Sequence, residues 1–574
     1  MSPKTTQNKP VYYVIMLLIP AIILLLIEGI LRIVGFGKDI PLFVPSEINS
    51  AFVQPNPNIV HRYFHQPELA PNVAPDTFLF SREKPATTKR IILMGGSSAA
   101  GFPYGRFGAP SGLLQHQLKS LYPEQNIEVI SVAMASVNSY ALRDFVEEVI
   151  ALNPDAVLIY AGHNEYLGIM GVGSVYAGAG GHYANLIYLK TRHFRLVQLL
   201  QSLLIARPKI DANLDGRTVM ATVAKERNIA LDSDLFNAGL EQFESNLGAV
   251  LSSLSQHGIP VFIGNLVSNE KHQPPFESEP ISPDPERSAR YYFARGTELL
   301  AANQHDEAQQ AFSQARDLDL LRFRAPSHFN PIIARLSDEH QATLVDFDQL
   351  FRSDSTDGII GNEHMLEHLH PTSRGYFLMA YGFLTALQQQ GVLAHQDLDK
   401  EQLWQQVPLN DVDHYYADYK IAQLTADYPF NKTPQGFALS PPENQAQAFA
   451  QARFNGTDWL SQQQELLTLF QRLQRPDLAA DVAALLADAL ATNHQAANVA
   501  AQLYRQTNQL SLAQYYARQA TDLAPQEIIY RLHRAQVYYL LSQRDRAKEQ
   551  LRTVLSQDPD NQQAQRYLKL VNQE

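Results

Sequence analysis

The sequence predicts an α/β protein: a five-stranded parallel sheet wrapped by helices, preceded by a membrane-crossing helix and followed by an all-helical repeat array. Three observations carry this expectation. Short apolar runs at residues 90–94, 127–134, 156–160, 260–266 and 342–346 are of strand length, and helical patterns lie between several of them. That alternation gives a parallel sheet covered on both faces. Residues 11–27 hold no charged side chain, and the apolar stretch continues to 34 past Glu28 and Arg32. Near the C-terminus Ala501, Tyr504, Ala513 and Pro525 recur as Ala535, Tyr538, Ala547 and Pro559, a spacing of 34. Small residues fall where paired helices approach, and proline follows the second helix, as in stacked helical hairpins.

Taken in order, residues 1–36 read as a cytoplasmic tip and an anchor. As a helix, residues 11–34 would span roughly 36 Å, enough for a bilayer core. No small-x-small cleavage site follows, so the anchor is expected to stay uncleaved. Glu28 and Arg32, four apart, can pair or snorkel. Lys4 and Lys9 precede the span without an acidic residue, which favours an inside N-terminus. The expected location is therefore the inner membrane, single-pass, with the remaining chain on the extracytoplasmic side. Residues 37–88, rich in Pro, Asn and Phe without a clear period, read as an extended stalk or cap. The α/β domain is expected over 89–394; one of its helices spans about 236–256 and is closed by His257 and Gly258. Within it, 289–322 carries a solitary copy of the repeat, with Tyr292, Gly296, Leu299, Ala308, Phe312 and Ala315 in the corresponding places. Residues 395–456 form a connector with no legible structure. The tetratricopeptide-type array follows at 457–574, with a weaker copy around Ala479, and its concave surface fits a protein or peptide partner.

Composition narrows the function. At 574 residues the chain is long enough for three or four units, and 45% hydrophobic residues suffice for packed cores. A net charge of −12 argues against a nucleic-acid partner. The absence of cysteine excludes disulfides, thiolate zinc sites and cysteine nucleophiles.

Four stretches fall where a parallel sheet presents its carboxyl ends or later in the chain. Gly95-Gly96-Ser97-Ser98-Ala99-Ala100-Gly101 follows the first apolar run, 131–139 follows the second and Gly162-His163-Asn164-Glu165 the third; Glu367-His368-Leu369-His370-Pro371 lies far downstream. Ligands belong at those carboxyl ends. A serine is a poor nucleophile until a base reaches it and donors face the developing oxyanion. Here one serine block, one histidine with a carboxylate three residues before it, and candidate donors all appear.

On these blocks residues 88–390 resemble the SGNH hydrolase superfamily, also called GDSL esterases and lipases. The resemblance implies a flavodoxin-like α/β domain and a serine hydrolase acting on ester bonds without metal or organic cofactor. It makes Ser97 the nucleophile, with Ser98 as rival, and Gly96 stands where the family has aspartate. It implies His370 as general base and Glu367 as the acid that orients it, in place of the usual aspartate. Glu367 is also expected to raise the imidazole above its ordinary value of about 6.5. Ser97 and Ser136 are implied as backbone donors to the oxyanion and Asn164 as its side-chain donor; Ser136 replaces the family's glycine.

Alternatives share these residues. His364, Glu367 and His368 fit an inverted zinc-protease pattern, but the helix it needs would have to fit between Gly361 and Pro371. The glycine block lacks the lysine of a phosphate loop. The ester is unidentified, an O-acyl group of an envelope glycan or a lipid being the candidates. An O-acetyltransferase of the same fold, or a catalytically weak scaffold working through its repeats, stays open beside the hydrolase.

Overall fold

The computed structural model describes residues 9–47, 49–64, 70–174, 180–204, 220, 228–433 and 436–573. The tip at 1–8, with Lys4, lies outside them. Helix α1 (Lys9–Ile33) occupies the position of the expected anchor. Among the described residues no helix is long and apolar enough to cross a membrane; the side chains at positions 9–12, 15 and 17 of α1 are not among those described.

Strands β1 (Phe43–Pro45), β2 (Phe52–Pro55) and β3 (Phe80–Ser81) pair antiparallel. Of the two expectations for residues 37–88, stalk or cap, the packing favours the cap. Leu42, Val53, Ile59, Val60 and Phe80 are buried in the main core. The buried Arg62 guanidinium clamps this segment to the domain through Asp144 at 2.9 Å and Glu148 at 2.6 Å.

The five apolar runs form one parallel sheet. Strand β4 (Thr88–Gly95) leads through α2 (Ser97–Ala100) and α3 (Pro110–Leu121) to β5 (Asn126–Ser131). Next come α4 (Ser139–Ile150), β6 (Ala156–Tyr160), α5 (Gly181–Thr191), α6 (Arg195–Leu204), α7 (Asp234–Gln256) and β7 (Val261–Gly264). The solitary repeat forms a helical hairpin, α8 (Ala289–Ala301) and α9 (His305–Asp317). Gly296 lies so close beneath Phe312 that a Cβ there would come within 2.8 Å of the ring. Then α10 (Phe329–His340), β8 (Thr343–Val345), α11 (Phe347–Asp354) and α12 (Ser373–Gln389) complete the domain. Strand order is β5-β4-β6-β7-β8. The central β6 is buried at every position, which is why its sequence is a continuous apolar run rather than an alternating one. The 260–266 run is shorter as a strand than expected, because beyond Gly264 the chain leaves the sheet edge and Asn265 turns to Asp346 at 2.7 Å.

The connector carries structure that its sequence did not reveal: α13 (Lys400–Gln405), α14 (Asp411–Thr425) and α15 (Gln445–Phe454). Asn410 and Asp413 form a reciprocal capping box that starts α14. The array follows as α16 (Trp459–Arg472), α17 (Pro476–Ala489), α18 (His494–Gln506), α19 (Leu510–Leu523), α20 (Ile528–Leu540), α21 (Arg544–Gln557) and α22 (Gln562–Gln573). Helices α17, α19 and α21 begin 34 residues apart, at Pro476, Leu510 and Arg544. The helical stack does not start at 457: Val412 of α14 and Ala450 of α15 share one buried cluster with Leu466, Val482 and Leu486. The array docks on the β5 edge of the α/β domain. Lys119 of α3 pairs with Asp488, Glu124 accepts from Gln514 at 2.6 Å and Tyr538 at 2.9 Å, and Arg518 donates to the carbonyls of Pro123 and Gln125 at 3.0 Å.

Candidate active site

The order β5-β4-β6 means that the chain leaves β4 toward one side of the sheet and later returns on the other. A crevice is left outside the carboxyl end of β4, where ligands bind in such sheets. The loops after β4, β5 and β6 line it, with Ser97, Ser136 and Asn164 on its walls. His370 arrives from the turn between α11 and α12, and the whole forms a cleft of about 460 Å³.

Two glycines shape the serine turn. Gly101 closes α2 at φ +84°, and a Cβ there would collide with Ala109 at 2.4 Å, so only glycine fits. At Gly96, a Cβ would lie 3.1 Å from Nδ2 of Asn164. The aspartate that the resemblance leads one to expect there would crowd that amide.

Ser97 Oγ lies 2.8 Å from Nε2 of His370. The rival Ser98 is buried and donates its hydroxyl to the carbonyl of Leu369 at 3.2 Å. The two adjacent serines thus have separate positions, one at the cleft and one in the wall behind it.

Nδ1 of His370 hydrogen-bonds Oε1 of Glu367. The longer glutamate is accommodated because its carboxylate folds back over its own turn, accepting the backbone N–H of His368 at 2.6 Å and of His370 at 3.0 Å. Nδ1 of His368 faces the other oxygen. Glu367, His368 and His370 bring metal-ligand atom types within 4.8 Å of one another. Both carboxylate oxygens already accept backbone donors, however, and His370 turns its remaining nitrogen to Ser97, an arrangement suited to orienting imidazoles. Residues 361–371 form turns rather than a helix. His364 points away from His368, with Nε2 3.0 Å from Asp354, so the two histidines of the zinc-protease pattern do not share a face.

Burial sets the protonation state of His370. Desolvation disfavours the imidazolium and pulls this ring down to about 3. The expected rise is not found: the shift is downward, and burial is its cause. His163, whose Nδ1 accepts from Ala325 N at 3.2 Å, is likewise pulled down to about 3, mainly by burial. His368 is shifted downward for the same reason. The imidazole facing Ser97 is thus held toward its neutral form.

Ser136 sits at φ +64°, the left-handed conformation that favours glycine. Ser136 thus holds a glycine-like backbone at the position where the resemblance leads one to expect glycine, and its carbonyl accepts from Ile169 N at 2.8 Å. Asn164 donates one amide proton to the Val137 carbonyl at 3.2 Å, tying the loops after β5 and β6 together.

Sequence reasoning quoted Glu165 without giving it a role. Its buried carboxylate accepts Ser139 Oγ at 2.7 Å, Ser139 N at 3.1 Å and Gln242 Nε2 at 2.7 Å. Burial raises it to about 7 against those hydrogen bonds. It pins the Asn164 loop to the first turn of α4 and to α7. Sequence reasoning also missed the far wall. Lys420, Gln423 and Leu424 of α14 and residues 72–74 of the cap line the cleft opposite Ser97; these residues come from segments with no motif to reveal them. Phe102 packs on the His370 ring with centroids 4.7 Å apart.

No family model matches the sequence, and no match was found among curated proteins. Among solved structures, the chain is similar to an acetylxylan esterase from Geobacillus stearothermophilus at 13% identity and TM-score 0.27, covering 52% of this chain and 94% of that one. It is similar to the esterase EstA from Pseudoalteromonas at 14% identity and TM-score 0.24, covering 53% and 98%. It is also similar to the second tetratricopeptide domain of human RPAP3, solved with an HSP70 peptide, at 20% identity and TM-score 0.19, covering 20% and 93%. At these scores the likenesses decide nothing about the chemistry of the cleft.

Proposed function

We propose that the chain is a serine ester hydrolase of SGNH type, and the carrying observation is the Ser97–His370–Glu367 relay opening into the cleft at the switch point of the sheet. Ser97 Oγ attacks the ester carbonyl while Nε2 of His370 takes its proton, and Glu367 holds the imidazolium that forms. The carbonyl oxygen gains the negative charge, and the backbone N–H groups of Ser97 and Ser136 with the Asn164 amide stabilise it. The tetrahedral adduct collapses with loss of the alcohol, which carries away the proton from His370. Water then attacks the acyl-serine while the same imidazole takes its proton, and as the C–O bond to Ser97 breaks His370 returns that proton to Oγ, freeing the acid and restoring the serine. No cofactor takes part in this scheme. The test is turnover of short p-nitrophenyl esters and O-acetylated sugars, with and without an acceptor sugar. Free acid in both arms supports hydrolysis, acetyl transfer to the sugar identifies an acetyltransferase, and no acyl chemistry in either arm favours the scaffold reading.

A neutral His370 sets the pH dependence. Because only the unprotonated ring accepts the serine proton, kcat/KM rises with pH through the titration of His370. Burial places that rise below 6.5, so the rate at pH 5.5 should lie within about twofold of the rate at pH 7.5. Glu367→Gln should slow turnover and leave no new acid limb above pH 6. A midpoint near 7 in the native enzyme would mean that Glu367, rather than burial, governs the ring.

The clean split at 457 expected from the sequence needs revision. Since α14 lines the cleft and shares its core with α16 and α17, a chain ending at residue 456 should lose about tenfold or more of small-ester turnover through a displaced wall. Circular dichroism and turnover of both chains check this. Full turnover by the shortened chain would deny the wall a part in catalysis.

We further propose that α1 anchors the protein in the inner membrane with the cleft on the extracytoplasmic side, and that the array binds a protein or peptide. Met16, Leu18, Leu24 and Leu26 are all at least half exposed, and at helical spacing they point to different sides of α1, a pattern that suits lipid better than water. Helix α6 is tied to α1 where Glu28 accepts from Leu196 N at 2.8 Å, and its Leu200 and Leu203 extend the exposed apolar surface. Full-length protein should stay with membranes after an alkaline carbonate wash; release into the supernatant would exclude the anchor.

A further inference from the structure

The cleft wall built by α14 has a charge with no counterpart among the described residues. Lys420, Gln423 and Leu424 stand at i, i+3 and i+4, so they share one face of that helix, and all three line the same cleft as Ser97. Among the described lining residues, Lys420 is the single formally charged side chain. No carboxylate among the described residues forms an ion pair with it; its ammonium lies over the Phe454 ring, 5.8 Å from the centroid. The lysine is half-buried, and desolvation lowers its pKa with no opposing carboxylate to offset the loss. This is unusual in a chain of net charge −12. Arg62, Lys271 and Lys119, by contrast, pair with Asp144, Asp357 and Asp488. A cation held partly out of water without a partner costs stability, and a ligand anion would remove that cost. Gln423 beside it adds an amide able to bond the same anion.

We propose that Lys420 reads an anionic group, a carboxylate or sulfate, carried by the substrate outside the reacting ester, so that the enzyme is selective for acylated acidic molecules such as esters of a sugar acid. This rests on the ester hydrolase reading and adds the substrate class to it. The anion binds Lys420 and Gln423 while the ester carbonyl lies at Ser97; the lysine takes no part in bond making or breaking and acts as a specificity residue.

The test uses a matched pair of probes, O-acetylated methyl galacturonide and O-acetylated methyl galactoside, which differ only in a carboxylate at C6. The ratio of their kcat/KM values is measured for the native enzyme, Lys420→Met and Lys420→Arg. The native ratio should favour the acid by about tenfold and fall as sodium chloride rises from low to high concentration. Lys420→Met should bring the ratio near one, and Lys420→Arg should restore most of it. A native ratio at or below one, or a Lys420→Met ratio equal to the native, overturns the proposal while ester hydrolysis itself stands. If neither probe is turned over, p-nitrophenyl ester turnover tests the hydrolase reading separately, and calorimetric titration of methyl galacturonide decides on Lys420. Binding weakened about tenfold by Lys420→Met supports the anion site, and equal or absent binding overturns it.

Discussion

Ser97→Ala should lower ester turnover by about 10⁴-fold or more while leaving the fold intact, because removing the nucleophile disables the relay as a unit. The substitution deletes one oxygen from a side chain at the cleft, whose recorded partner is Nε2 of His370 at 2.8 Å. The neighbouring Ser98→Ala provides the contrast. Its hydroxyl is buried against the Leu369 carbonyl at 3.2 Å, so its loss should act through stability and position, costing about 1 kcal/mol and a modest fraction of the rate. Steady-state kinetics on a p-nitrophenyl ester, with thermal melting of each variant, separates the two. An organophosphonate probe followed by peptide mass spectrometry should place the adduct on Ser97. Loss of activity in Ser98→Ala with survival in Ser97→Ala would reassign the nucleophile and dissolve the relay.

The sheet and the approach of Ser97, Ser136, Asn164 and His370 to one cleft were legible in the sequence for a physical reason. A buried parallel strand must be apolar throughout, and the turn that leaves its carboxyl end needs small residues and glycine, so the position of a site at the switch point is written locally. Gly101 at φ +84° is a local requirement of that kind. The departures from the expected blocks become intelligible only in three dimensions. Gly96 makes room for the Asn164 amide, and Ser136 keeps a left-handed backbone held by Ile169. Glu367 reaches His370 by folding over its own turn. The far wall was illegible because it comes from segments without periodicity or motif. Residues 72–74 belong to a cap that buries scattered apolar residues rather than a regular face, and α14 shows little apolar asymmetry because cleft, array and domain surround it. The direction of the His370 shift was also misread. Spacing brings a carboxylate to the ring, but only the fold reveals that the ring is buried, which shifts it downward.

Asn164→Ala should reduce the chemical step by about 10²- to 10³-fold, since a side-chain donor to the developing oxyanion is worth that much. The amide is prepared for the task before substrate arrives. One proton is committed to the Val137 carbonyl at 3.2 Å, which fixes the plane of the group, and the loop beneath it is pinned by Glu165 to Ser139 and Gln242. The absent Cβ of Gly96 leaves Nδ2 uncrowded. A donor that meets its acceptor only when the carbonyl becomes an alkoxide contributes to kcat and little to KM. Asn164→Ala should accordingly lower kcat and kcat/KM together with KM within about threefold of native, and Asn164→Asp, which presents negative charge to the same oxygen, should be at least as damaging. Rapid-mixing measurement of acyl-enzyme formation, with circular dichroism of each variant, reads the chemical step directly. A folded Asn164→Ala enzyme with near-native kcat would remove this amide from the oxyanion site and leave stabilisation of that charge to the backbone N–H groups of Ser97 and Ser136.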